Sequence, residues 1–501
     1  MVVNSQLIFT FNKDLMMSPS RHWKVLVFLG ASAAFAGCGG GSNDGGETPT
    51  TYSFTRSGES TVAYLGQSTR QLLIKDLVGL MKEISADVLG GQNLERFDTP
   101  EEVVAFLTPL YEQGGLADPS RAIPDLVADG DTTLQTTYAD FNDANLQEKL
   151  AGNDAVTDHA DWNGGDFVGW KTANLVIDAE GNRAAPQTPE SLLLALFWTF
   201  ATQASGAATD SFPIDAATPL YLTPDGLDLT QLLEKFLLGA VNFSQGTDDY
   251  LDDDIDGKGL LSANELDGDN PYTTLEHQWD EAYGYWGAAR DYSAYTDEEI
   301  AAAGGRADYQ NGYHDTNGDG FIDLLSELNF SASVNAAKRD LGSAPEARTD
   351  FTGQADLAFR SGRALISAAY EAGTEVDLAA LQAERDTAVL AWERAYAATA
   401  IHYINEILGD MDAIGGEDYS FADHAKHWSE LKGFALGFQF NPRSPMSDED
   451  FAALHAAVGD APVGASASDP VDDEAYRGQL LDARNRIGDA YGFDEANVTS
   501  W

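Results

Sequence analysis

The stretch "RQLLIKDLVGLMKEI" (70–84) sets apolar residues three and four places apart, Leu73, Leu77, Leu80, Met81 and Ile84 among them. That spacing puts one continuous apolar face on a helix. The same period returns at 228–243, 275–290, 355–371, 377–409, 420–436 and 472–488. Helix starts are written into the chain at Thr99-Pro100-Glu101-Glu102 and Thr188-Pro189-Glu190. Each offers a hydroxyl cap, a proline at the first helical place and acids facing the positive end of the helix dipole. Strand-like alternation is rare. The expectation is an all-α fold, a multi-helix bundle with long polar loops at 115–185 and 205–227 where no period is legible.

"WDEAYGYWG" (279–287) and "WSELKGFALG" (428–437) echo one another through Trp279/Trp428, Glu281/Glu430, Gly284/Gly433 and Tyr285/Phe434. Capped acidic starts follow both, "TDEEI" at 296 and "SDEDF" at 447. Two related helical halves, with lobes 52–245 and 246–501, would explain the echo, as would chance resemblance between two amphipathic helices.

The chain has 501 residues, enough for more than one domain-sized core, and its 43% hydrophobic content excludes wholesale disorder. With 29 basic against 81 acidic side chains, the net charge of −52 repels phosphate backbones and anionic lipid headgroups, so nucleic acid is not an expected partner.

Arg21 and Lys24 precede the apolar run "VLVFLGASAAF" and the small residues of "FAGC". This is the layout of a cleaved export signal, with an apolar run too short to span a bilayer. It resembles a bacterial lipoprotein signal over residues 1–37, with Cys38 as the lipidated residue. Met16 or Met17 could also serve as the start, which would make residues 1–15 an over-long beginning. Cys38 is the only cysteine, so no disulfide can form within the chain. "GGGSNDGGETPTT" within 38–51 reads as a flexible tether, with order from Tyr52 and a helical domain over 52–501. The expected location is extracytoplasmic, held to the outer membrane by the lipid alone, on the periplasmic side or at the cell surface.

"HDTNGDGFIDLLSE" (314–327) has the form of a calcium loop. Hard divalent cations need several oxygens converging from a short stretch, hence acids at alternate places and a glycine at the sixth. Asp315, Asn317, Asp319, the Phe321 carbonyl and Asp323 meet that demand, with Ile322 as the apolar plug. The twelfth place is Ser326, and the closing acid, Glu327, comes one residue late. "DDDIDGKGLLSANE" (252–265) offers Asp254, Asp256, Ser262 and Glu265 on the same template, but Lys258 falls on a ligand position, and Asp252 or Asp253 would have to substitute. Either stretch is otherwise an acidic turn without metal. As a calcium site, each would act as a structural brace between helices.

Histidines supply a second set of candidates. His424, His427 and Glu430 recur at steps of three on one helix face, while His402 and Glu406, and His277 and Glu281, lie one turn apart. Helical bundles build iron or zinc sites from such pairs on facing helices, though the same pairs are common without metal. The sequence contains no HExxH, GxSxG, phosphate-loop or CxxC signature. Catalysis is therefore the lesser expectation, although a triad assembled from distant residues leaves no motif.

"YSFTRSGESTVAYLGQSTRQLLIKDL" (52–77), "DTNGDGFIDLLSELNF" (315–330), "WDEAYGYWG" and "HWSELKGFALGFQFNP" (427–442) together resemble the bacterial lipoprotein family called domain of unknown function 4856. In that family the acid after "IDL" also stands at the Glu327 place. The resemblance implies a secreted, lipid-anchored helical protein that accompanies imelysin-like iron-regulated proteins and outer-membrane receptors. His427 and Glu430 supply the His-x-x-Glu pair of imelysin-like proteins, with Ala425 where that motif has Gly.

These readings together lead to a non-enzymatic lipoprotein, braced by calcium, that binds a metal or a partner in iron acquisition. The rivals are a cell-envelope hydrolase or peptidase and a protein–protein interaction module with no small ligand.

Overall fold

The computed structural model describes residues 48–157, 165–209 and 218–501. The segment read above as an export signal, Cys38, and the stretch read as a tether up to residue 47 lie outside the described residues. The chain is all-α, 55% helical, with thirteen α-helices among the described residues and two-residue strands only. In chain order these are α1 (Leu65–Leu89), α2 (Pro100–Glu112), α3 (Pro189–Ala208), α4 (Leu229–Leu237), α5 (Thr274–Trp286), α6 (Asp297–Ile300) and α7 (Ser331–Leu341). They are followed by α8 (Phe351–Ala372), α9 (Leu378–Ala413), α10 (Phe421–Gly437), α11 (Asp448–Val458), α12 (Glu474–Tyr491) and α13 (Glu495–Ser500).

The expected starts form as written. Thr99 and Thr188 cap α2 and α3 with proline at the next place, Thr296 caps α6, and Ser447 accepts the Asp450 N–H at the head of α11. The residues just before Tyr52 are already held by the body: Arg360 of α8 donates to the Pro49 carbonyl and Ser293 to that of Thr50.

The 36-residue α9 is the axis of the body, packed by α7, α8, α10, α12 and α13. Its middle, "AYAATA" (395–400), is fully buried, and alanines there let neighbouring helices approach closely. Trp279, Trp286, Trp392 and Trp428 are each buried to within 2% of completely. Trp286 meets Trp392 edge-on at 5.6 Å, which joins α5 to α9.

The echoed motifs share a packing role. Gly284 lets α5 lie against Tyr64 and Gln67 at the head of α1, and Gly433 lets α10 lie against Lys235 and Phe236. A methyl group at Gly433 would come within 2.5 Å of the Lys235 Cβ. That crossing fixes where Lys235 stands.

One helix departs from expectation. The run 228–243 begins as α4 but continues from Leu238 to Tyr250 with π-type winding, broken only at Ser244. Close packing accounts for the change. Gly239 lies against Gly437, and Gly246 lies under the Trp392 ring, where a side chain would come within 2.7 and 2.8 Å of the neighbour. π segments are rare and gather at functional sites. This one buries Asn242, Gln245, Asp248 and Asp249.

Candidate functional site

The loop 315–327 lies between α6 and α7 and winds through left-handed glycines at Gly318 (φ 75°) and Gly320 (φ 87°). Asp315 organises the turn. Its Oδ1 accepts the N–H groups of Gly318 and Asp319, and its Oδ2 accepts that of Gly320, at 2.7 to 3.2 Å. These donors, Gly320 first, hold its carboxyl below the usual carboxylate range. Asn317 accepts from Asp319 N, and Asp319 from Phe321 N.

The late glutamate does close the loop. Glu327 is 2% exposed. Its Oε1 accepts the N–H and hydroxyl of Thr316 at 2.8 and 2.5 Å, and its Oε2 accepts the Asp323 N–H at 2.8 Å. Entry and exit of the loop are thus tied through one buried carboxylate.

The loop lies between two helices, as expected, and also fastens a third, remote segment. Ile322, 6% exposed, pairs with the connector between α2 and α3: its N–H donates to Thr132 O and its carbonyl accepts Leu134 N–H. Gln135 donates to Asp323 Oδ1 at 2.8 Å and accepts the Leu324 N–H at 3.0 Å. Tyr313 donates to Asp131 Oδ2 at 2.6 Å. Asp131, Gln135 and Tyr313 carry no signal in the sequence, because their partners lie nearly two hundred residues away.

The donor chemistry suits a hard cation on the outer turn, where Asp315, Asn317, Asp319 and Phe321 are half-buried or exposed. Asp323 and Glu327 are engaged in holding the backbone.

The stretch 252–265 folds to another end. Arg443 takes Asp252. Arg385 and Gln382 take Asp253. Asp254, Asp256 and Glu265 are exposed, and Ser262 reaches only the Gly257 carbonyl, at 3.4 Å. Lys258 is exposed as well.

The histidines are distributed along the helices. His427 Nδ1 pairs with Asp410 Oδ2 at 2.8 Å, which raises its pKa against the opposing effect of burial. His424 is fully buried beside Tyr419. His402 lies 3.9 Å from Glu406, its pKa pushed down to about 3 by burial and then by Arg339. His277 meets the Ala63 carbonyl at 3.1 Å and Glu281 at 3.8 Å. Glu430 faces Lys235 at 3.7 Å. Among the described residues, no three His, Cys, Asp or Glu side chains gather as a metal group.

A pocket that periodicity did not signal opens beside the base of loop 315–327. Lys75 of α1, Glu234 and Lys235 of α4, Asn311, Gly312, Leu328 and the first turns of α7 line a cavity of about 320 Å³.

Residues 202–319 match the family described as Domain of unknown function (DUF4856). The matched stretch takes in the π-wound segment, loop 252–265 and the first residues of loop 315–327, and it ends short of His427 and Glu430. No curated protein and no solved structure matches the chain.

Proposed function

We propose that this chain, which carries the DUF4856 stretch at 202–319, is a non-enzymatic extracytoplasmic lipoprotein whose helical body is braced by calcium at loop 315–327. The observation that supports the brace is the reach of Glu327 across the loop to Thr316 and Asp323, which keeps Asp315, Asn317 and Asp319 on a preformed outer turn. Bound calcium would supply positive charge to carboxylates that otherwise repel one another. The residues around it do the mechanical work, because Ile322 and Gln135 pass any stiffening of the turn to the α2–α3 connector.

A ligand that binds only the folded state stabilises it by mass action. Calcium added to protein stripped on a chelating resin raises the melting temperature, and Asp315→Ala combined with Asp319→Ala removes the rise. An undiminished rise in that double variant would take the loop out of the reading. The anchor has its own test. Cys38→Ser releases the protein from the membrane fraction, and retention there would refute lipid anchoring at that residue.

A further inference from the structure

The chain is overwhelmingly acidic, yet the pocket at the base of loop 315–327 is lined by Lys75, Lys235 and Lys338 against the single carboxylate of Glu234. Glu234 is already shared. Lys235 lies 2.9 Å from it and Lys75 3.6 Å. Burial pushes its pKa up, but Lys235, Lys75 and Lys82 outweigh that and hold it at about 2. Lys338 has no ion-pair partner among the described residues. Its side chain is exposed at the mouth, but the surrounding protein, then the cations of Lys235, Arg339 and Lys75, lower its pKa.

Positive charge also comes from the backbone. The first turn of α7 lines the pocket, and the residue at its cap position, Phe330, has no side-chain acceptor, so the N–H groups of that turn are uncapped. Ser331 opens the helix at φ 38°, a left-handed conformation that a non-glycine residue adopts at a cost. An uncapped helix N-terminus favours an anion, and the lysines beside it are a second, independent source of attraction. Asn335, one turn on, adds a side-chain amide that no described residue engages.

The remaining walls mix the polar Asn311 and Asn329 with an apolar set. Leu126, Leu238, Ile300, Leu328 and Val334 surround the charged end. Inorganic phosphate would leave those surfaces without contact, whereas a carbon skeleton would cover them. We propose that this pocket binds a small organic polyanion, its acid groups toward Lys75, Lys338 and the head of α7 and its skeleton against the apolar wall. Lys235, tied to Glu234 and 3.7 Å from Glu430, positions rather than neutralises.

The inference does not depend on calcium. Calorimetric titration of resin-stripped protein with glutarate, propane-1,2,3-tricarboxylate and inorganic phosphate at low ionic strength tests it, in a buffer free of calcium and of EDTA. The two organic acids bind, and Lys338→Gln and Lys75→Gln each weaken them about tenfold, the loss of one charge-assisted contact. Lys258→Gln, on an exposed loop, leaves binding unchanged. No heat with either organic acid would overturn the proposal. So would phosphate binding as tightly as the tricarboxylate, or affinity indifferent to Lys338→Gln in a variant whose melting temperature shows it folded.

Discussion

Loops 252–265 and 315–327 share a calcium-like spacing, and the fold uses them in opposite ways. In the first, arginines from distant parts of the chain take the acids nearest the core: Arg443, in the turn before α11, holds Asp252, and Arg385 of α9 holds Asp253. In the second, the acids have no arginine ion partner among the described residues and turn onto the loop's own N–H groups, with Glu327 behind them. A carboxylate can serve an added cation only if the protein's own cations have not reached it first. Spacing along the chain records where oxygens are. It does not record which guanidinium will arrive from residue 385 or 443.

The largest effect follows from removing such a guanidinium. Beside Asp252 lies Asp248, 1% exposed, with one buried oxygen that has no hydrogen-bond partner among the described residues. Burial, then the neighbouring Asp252, pushes its pKa up to about 9, with Arg443 opposing. Arg443→Met leaves the buried Asp252 without its ion partner and should cost about 3–5 kcal/mol, the usual consequence of breaking a buried pair from one side. Chemical denaturation measures it, and a loss under about 1 kcal/mol would show that Arg443 is not what occupies the first loop.

In the second loop the corresponding change is Glu327→Ala. It leaves the Thr316 and Asp323 N–H groups without their charged acceptor and should cost about 1.5–3 kcal/mol, the worth of a hydrogen bond to a charged group. It should also abolish the calcium response. At a hundred times the dissociation constant that response is about 2.7 kcal/mol. A destabilised Glu327→Ala protein that still responds fully to calcium would separate the closing acid from the ion.

The two loops also show how far the sequence could be read. Helices α2, α3, α6 and α11 were legible because their caps are local, and α8, α9, α10 and α12 because an apolar face repeats within one element. Helix α7, "SASVNAAKRDL", was not, because it has small residues in place of a strong apolar stripe and no capping side chain. The π winding after Leu237 was hidden for another reason. It is dictated by the approach of Gly437 and Trp392, residues far along the chain. The described parts of the polar stretch 115–185 are held by remote partners in the same way: Arg121 donates to both oxygens of Asp76, and Lys432 donates to the Gly169 carbonyl. Of the candidate sites, the acidic turn could be read from spacing. The lysine pocket could not, since Lys75, Lys235 and Lys338 come from three separate helices.

A smaller effect tests the protonation that the first loop imposes. With its pKa raised to about 9, Asp248 keeps its proton in the folded state where the unfolded chain, titrating near 3.8, has lost it. Between those values the folded state binds the extra proton, so stability falls as pH rises through the window. The slope from this residue is up to about 1.4 kcal/mol per pH unit. Asp248→Asn should flatten the fall and be more stable than the parent at pH 8. An unchanged slope would mean that Asp248 is ionised within the fold.

The smallest effect decides whether the contrast between the loops is real. Asp256 and Glu265 occupy ligand places of the template in the first loop but stand exposed, and no ion pair to either is found among the described residues. Asp256→Ala and Glu265→Ala should each change stability by less than about 0.5 kcal/mol, as substitutions at such surfaces do. Calcium-induced stabilisation should persist in both. Were the calcium response instead lost here and kept in Asp315→Ala, the two loops would exchange roles. The ion would then sit where Lys258 occupies a ligand place, and the competition argument would fail, because a stretch whose inner acids are already matched by arginines would be the one recruiting a further cation.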